Sequence, residues 1–374
     1  MLRKFTLLLL LTISCYANAH TEYVLFSQGD SKNSDQYRNM HYGKVTTIVI
    51  VGDFDSQYLN FIRFVEYVLN RPIQLQYLVD GKSNYGGREG LEKLDDPILR
   101  KHEVDKWTSF VIMKGIQGLN LDFAELNVCK NNNITTDSTE TNENILLFIE
   151  ELTSSLKSKS GYFTVTYSSP YEPKPNLCQN YKRISDAVDH FYVKGYDIES
   201  DGCTNPLTEL TEGMNQFLDL GIHRSKIVQI VPWFNNQIET TENSEIKLKN
   251  RPIGICETHH LIQEGINQGS LPKGDDQEKC LSIDFQQKYK RKSFKIIYNT
   301  IETLKIKLYK IAVEFQLSGI GFWWANGSDN TDYDCVEKFL IGYWDLMKET
   351  VDVIDHYKVG EANGGSVDQI FDKL

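Results

Sequence analysis

Eight short apolar runs, rich in β-branched and aromatic residues, recur along the chain: Tyr23–Phe26, Thr46–Val51, Gln74–Val79, Gly118–Phe123, Tyr162–Ser168, His190–Tyr196, Ile227–Trp233 and Gly319–Trp324. Each reads as a strand. Between them lie amphipathic stretches with helical spacing, such as Gln57–Asn70, Glu143–Lys157, Leu207–Leu220 and Lys338–Val353. Strands alternating with helices imply parallel strands joined by right-handed crossovers, because each return needs a helix-length connection. Eight such units predict an α/β fold of the (β/α)₈ TIM-barrel type. The rival is an open doubly wound sheet, which usually carries a glycine-rich phosphate turn after its first strand. No such turn is present.

The seventh and eighth strands are separated by residues 234–318, far more than one crossover needs. That stretch holds Cys256, Cys280, the punctuation Gly265, Gly269, Pro272 and Gly274, the basic run Lys288–Lys292 and a helix-like Ile296–Phe315. It reads as a small α+β lobe inserted at the end of the barrel where such folds build their sites.

The first residues differ in chemistry from the rest. Arg3 and Lys4 precede an apolar run from Phe5 to Ile13, and Ala17-Asn18-Ala19 supplies small residues for cleavage. This is the pattern of a signal peptide over residues 1–19, leaving 20–374 as the mature barrel domain. The apolar run is short for a membrane span, no later stretch reaches eighteen uninterrupted apolar residues, and no membrane anchor is expected.

Composition narrows the function classes. The 374 residues are 40% hydrophobic and 24% charged, enough to bury a core, with a formal charge of -11. Loss of Arg3 and Lys4 with the leader moves that charge to -13. Nucleic acid is therefore not the expected partner. Cys15 would also leave, and the six that remain, Cys129, Cys178, Cys203, Cys256, Cys280 and Cys335, form an even set suited to disulfides in an oxidising compartment. Asn133-Ile134-Thr135 and Asn326-Gly327-Ser328 are glycosylation sequons. His259-His260 lacks a third ligand at metal-binding spacing, and Asp275-Asp276 lacks a Ca²⁺-loop pattern. No metal or cofactor is expected.

Polar residues at the C-terminal ends of barrel strands are the first functional candidates. In Gly118–Phe123 and the residues that follow, Asn120, Asp122 and Ala124 share one face by the period of two, and Leu119, Leu121, Phe123 and Glu125 share the other. A polar inward face is costly in a barrel filled by Val, Ile and Leu unless it has a task or a hydrogen-bonded network.

The run Gln117-Gly118-Leu119-Asn120-Leu121-Asp122-Phe123-Ala124-Glu125 resembles the D-G-x-x-x-D-x-E strand signature of family-18 glycoside hydrolases, in the form found in chitobiase-like (di-N-acetylchitobiase type) members. Phe191–Asp197 resembles the sixth-strand M-x-Y-D element, Val231-Pro232-Trp233-Phe234 the seventh-strand V-P-W-Y, and Gly319–Asn326 the last-strand G-I-G-x-W-x-A-N. These occur in family order over roughly residues 40–350. The resemblance implies cleavage of β-1,4-linked N-acetylglucosamine by a substrate-assisted route, in which a Glu protonates the leaving oxygen and the substrate's acetamide attacks the anomeric carbon. It further implies roles residue by residue. Asp122 matches the Asp that orients the acetamide, Tyr196 and Asp197 match the Y-D pair, and Trp323 matches the apolar floor under the sugar. Asn120 and Trp233 join them as sugar-binding candidates. Within the same resemblance, Cys129 with Cys178 is the favoured disulfide, Cys256 with Cys280 would close the lobe, and Cys203 with Cys335 is what remains.

Two departures bear on activity. Gln117 stands where the first Asp belongs, and Ala124 stands where the acid belongs. Glu125 is one residue further and, in a regular strand, points to the opposite face; a β-bulge would be needed to bring it inward as the acid. Lys194 replaces the family's Met, bringing a cation toward Asp122 and Asp197. Three readings follow: a lectin-like barrel that binds chitooligosaccharides or an N-glycan core without turnover, an active chitobiase-like glycosidase using Glu125, and a pseudoenzyme working through protein partners. The expected location is the secretory pathway, extracellular or lysosomal. Oligomeric state is left open.

Overall fold

The computed structural model describes residues 21–29, 40–123, 136–174, 179–196, 198, 203, 205–240, 250–275, 280–287, 292–323 and 341–362. Eight strands close into a parallel barrel: β1 (Glu22–Gly29), β2 (Thr47–Phe54), β3 (Gln74–Asp80), β4 (Gly118–Asp122), β5 (Thr164–Ser169), β6 (His190–Lys194), β7 (Ile227–Pro232) and, after an insertion, β13 (Gly319–Trp323). The last strand pairs with both β7 and β1, and that closes the ring. The expected (β/α)₈ architecture is the observed one.

The crossover helices are α1 (Ser56–Leu69), α2 (Pro97–Lys114), α3 (Thr136–Lys159), α4 (Tyr181–Ala187) and α5 (Leu207–Asp219). α1 shows how the sequence sets its ends. Asp55 caps it by accepting from the Tyr58 N–H, and Asn70 ends it in the left-handed conformation at φ 50°. Its buried residues Tyr58, Ile62 and Val65 recur at helical spacing and face the barrel.

The insertion lies between β7 and β13. Its antiparallel sheet has the order β10 (Lys273–Asp275), β11 (Cys280–Gln287), β12 (Lys292–Tyr298), β8 (Asn235–Thr240), β9 (Asn250–Ile253). Helix α6 (Ile255–Asn267) covers one face, and Leu261 packs there with Ile253, Ile283, Phe294, Ile296 and Tyr298. One boundary differs from the expectation. Ile296–Phe315 does not form one helix, because Ile296–Tyr298 completes β12 through pairing with β11 and β8. Helix α7 (Ile301–Leu308) starts only after Thr300, whose hydroxyl accepts from the Thr303 N–H, and a π turn at Tyr309–Val313 follows it. Helix α8 (Ile341–Ala362) closes the described chain.

The barrel has two apolar regions on either side of its wall. Val24, Phe26, Val49, Leu78, Tyr192, Tyr196, Val228 and Ile230 fill the lumen, whereas the larger core, including Leu25, Ile48, Leu119, Leu121, Val193 and Val231, lies between strands and helices. The two sets alternate along each strand, as the period of two requires. Among the described residues no helix is long and apolar enough to cross a membrane. The leader-like residues 1–19 and the sequons Asn133 and Asn326 lie outside the described residues.

The disulfides correct the expected pairing. Cys280, at the start of β11, is bonded to Cys203 in the loop after β6, with Cα atoms 5.5 Å apart. Neither the Cys256–Cys280 nor the Cys203–Cys335 pairing therefore forms. Cys256 is also disulfide-bonded. Cys129, Cys178 and Cys335, and with them the favoured Cys129–Cys178 pair, lie outside the described residues. The reason is spatial. The lobe folds back onto the loop after β6, and buried amides fix that junction: Asn299 Nδ2 donates to Asn205 Oδ1 at 3.1 Å, and the Asn299 backbone N–H donates to Asn235 Oδ1 at 3.1 Å.

Candidate functional site at the barrel mouth

Among the apolar lumen residues, β3 to β6 also turn polar side chains inward: Gln76, Asn120, Thr166, Ser168 and Lys194 are all buried. Asn120 is fully buried and sits in a chain of hydrogen bonds. Its Nδ2 donates to Thr166 Oγ1 at 2.8 Å, Ser168 Oγ donates to its Oδ1 at 2.8 Å, and Thr166 Oγ1 donates onward to Gln76 Oε1 at 2.7 Å. This network gives Gln76, Asn120, Thr166 and Ser168 partners for their buried polar groups and ties β4 to β3 and β5. Asn120 is therefore part of the closed lumen network.

Two residues further along β4, on the same face, Asp122 reaches the mouth. The Lys194 ammonium, at the end of β6, lies 3.1 Å from Asp122 Oδ2 and 3.3 Å from Oδ1. Both side chains are largely buried, 9% exposed for Lys194 and 15% for Asp122. The cation and carboxylate are thus paired inside the rim of the barrel. Aromatic rings complete the floor. Trp323 stacks on Tyr196 with centroids 5.6 Å apart and 18° between planes, and lies 5.0 Å from Phe26. Burial drives the neighbouring lumen phenol of Tyr192 well above its ordinary pKa, so it stays neutral.

Trp233 does not join this group. It is 1% exposed and packs behind the wall, 3.7 Å from the Phe322 ring and 4.9 Å from Trp344 of α8. Parity explains this: Val228 and Ile230 face the lumen, so residue 233 falls on the outer face and residue 234 on the inner one. Phe234 is the ring that reaches the lumen cluster, 6.4 Å from Tyr196. Counting by twos along β7 would have found it. Gly118 also has a clear task. A Cβ there would run into the Thr164 carbonyl of β5, so the motif glycine lets the two strands meet at the Gly118–Thr164 register pair. Ala124, Glu125 and Asp197 lie outside the described residues. Among the described residues no group of His, Cys, Asp or Glu is arranged to hold a metal ion.

Residues 21–328 match the family profile described as "Glycosyl hydrolases family 18". The chain belongs to family 18. Among curated relatives, the di-N-acetylchitobiase of Mus musculus is 19% identical over 336 residues, covering 83% of this chain and 85% of its own length. The Homo sapiens di-N-acetylchitobiase is 19% identical over 335 residues. Among solved structures, a chitinase of Chromobacterium violaceum superposes with a TM-score of 0.68 at 14% identity, covering 88% of this chain and 99% of its own. The Ostrinia furnacalis Group II chitinase catalytic domain 2, as its E2180L mutant in complex with penta-N-acetylchitooctaose, gives a TM-score of 0.67 at 13% identity, covering 88% and 96%. At these identities the structures establish the shared barrel. At the C-terminal ends of its barrel strands this chain places Lys194 against Asp122 and Trp323 against Tyr196.

Proposed function

We propose that this family-18 barrel binds N-acetylglucosamine-containing, chitin-type oligosaccharides at its mouth, with hydrolysis lost or greatly reduced. The observation that carries the reading is the Lys194–Asp122 ion pair. Asp122 matches the carboxylate that orients the substrate's acetamide in the family, and here a buried cation holds it. A carboxylate paired in this way keeps acceptor capacity for an acetamide N–H, but its charge is already compensated and is less able to support a neighbouring acid. The position where that acid belongs is Ala124. Loss of general acid catalysis alone lowers a rate by about 10²–10⁴. The stacked Tyr196 and Trp323 rings supply a face for the apolar C–H side of a pyranose.

The relatives named di-N-acetylchitobiase favour a second reading, an active glycosidase in which Glu125 takes the acid's place. A fluorogenic chitobioside assay on the wild type and the Glu125→Gln variant separates the two. The proposal expects little or no turnover from the wild type and no change on Glu125→Gln. Turnover in the wild type that Glu125→Gln abolishes overturns it. The leader-like N-terminus and the two sequons support a secretory-pathway location, and an N-glycan core is the second candidate ligand there. Secretion from expressing cells with loss of residues 1–19 tests that.

A further inference from the structure

Lys307 is a cation where helix periodicity places apolar residues. It shares the inward face of α7 with Leu304 and Leu308 and is 1% exposed, although lysines are among the residues least often fully buried. Its ammonium donates to Asn299 Oδ1 at 2.8 Å and Asn205 Oδ1 at 2.9 Å. The same nitrogen lies 3.2 Å from Cys280 Sγ and 3.7 Å from Cys203 Sγ, the two sulfurs of one disulfide. Asn205 and Cys203 come from the loop after β6, Cys280 from β11 and Asn299 from the turn before α7, and Tyr343 of α8 donates to the Asn299 carbonyl. Barrel and lobe therefore meet around one buried ammonium.

We propose that the Cys203–Cys280 disulfide is a redox-sensitive latch on the inserted lobe, and that Lys307 holds the thiolate formed when a dithiol reduces it. A neutral disulfide gains little from a cation at 3.2 Å, whereas a thiolate there forms an ion pair in a site shielded from water. Lys307 thus favours the reduced form over the oxidised one. The step balances. One thiolate of the dithiol attacks Cys203 Sγ, the S–S bond breaks and Cys280 leaves as the thiolate facing Lys307. The second thiol then displaces the mixed disulfide, forming the reductant's own disulfide. Cys203 keeps one proton, and the other goes to solvent.

The structural consequence follows from where the two cysteines sit. Cys203 lies nine residues after Lys194, on the loop that continues from the site-bearing end of β6, and Cys280 opens the strand that pairs with β10 and β12. Breaking their bond removes the covalent tie between the lobe and that loop and leaves the junction to the Asn205, Asn299 and Lys307 hydrogen bonds. The inference stands apart from sugar binding and needs no ligand to test.

The test equilibrates the full chain in reduced and oxidised dithiothreitol at pH 6, 7 and 8. Thiols are trapped with N-ethylmaleimide, and the Cys203 and Cys280 peptides are quantified by mass spectrometry. A thiolate held by Lys307 makes the reduction equilibrium rise about tenfold per pH unit across that range, because one proton is released. A flat profile, the behaviour of two ordinary thiols with pKa near about 8.5, overturns the proposal. Lys307→Met is expected to flatten the profile and to reduce at least tenfold less readily at pH 7; should it fail to fold, the wild-type profile decides alone. For the latch itself, a Cys203→Ala/Cys280→Ala variant is expected to be cleaved by trypsin within residues 234–318 at least tenfold faster than the oxidised wild type. Equal rates overturn that part.

Discussion

The Lys194 ammonium sits 3.1 Å from Asp122 Oδ2 inside the barrel rim, joining the end of β6 to the end of β4 across the intervening β5. Neither side chain is exposed enough for water to screen the pair well, so each depends on the other. Removing one partner of a largely buried pair costs about 3–5 kcal/mol, because a desolvated charge loses its opposite. Lys194→Met and Asp122→Asn should each lower stability in chemical denaturation, and the double variant should lose less than the sum of the two. A coupling of about 1–3 kcal/mol is expected. Strict additivity would show that the two groups do not interact.

Two tryptophans separate binding from folding. Trp323 lies over Tyr196 at the mouth, so Trp323→Ala should weaken chitotriose binding at least tenfold while the unfolding transition moves little. Trp233 is packed against Phe322, Tyr343 and Trp344. Its replacement by Ala should cost about 3–5 kcal/mol of stability and leave the affinity of the folded fraction unchanged. Calorimetry on both variants, paired with thermal unfolding, checks the contrast.

The eight strands were legible because each is an apolar, β-branched run of strand length between amphipathic helices, and a parallel barrel needs both. Parity along β4 also placed Asn120 and Asp122 inward, with Leu119 and Leu121 on the helix side. Parity along β7 carried the same information about Trp233 and Phe234, but a tryptophan beside a proline in a sugar-binding motif drew attention to the wrong ring. The Cys203–Cys280 bond was not legible. It joins cysteines 77 residues apart, where the inserted lobe folds back on an earlier loop, and no local spacing records that. Lys307 was hidden for the same reason. In sequence it is one of several lysines on a helix, and only the junction makes it a buried cation.

Gly118 offers a test of the motif's structural half. Gly118→Ala drives a methyl group into the Thr164 carbonyl across the β4–β5 pair and should destabilise the protein by more than about 2 kcal/mol, well beyond the ordinary cost of a surface change. Denaturant unfolding that matches the wild type would show that the two strands can separate at that register.

Glu103, on α2, gives a prediction in pH. Burial pushes its carboxyl up, but hydrogen bonds from Lys106 and Lys93, each at 2.9 Å, more than offset that, and its pKa lies below the ordinary value. A depressed carboxylate stabilises the fold above its unfolded pKa of about 4.3, and the contribution disappears as pH falls through the folded value. Glu103→Gln should therefore cost about 2 kcal/mol at pH 7 and much less at pH 3. Thermal unfolding of both proteins at the two pH values measures the difference; an equal cost at both would assign the effect to packing.

The central claim is that this mouth holds a chitin-type oligosaccharide and leaves it whole. Calorimetric titration of the full chain with chitotriose, with the sugar recovered afterward and sized by mass, tests both halves in one sample. The account predicts a saturable isotherm with one site per chain and recovery of intact trisaccharide. Absence of binding heat, or recovery of mono- and disaccharide in place of the trimer, would contradict it.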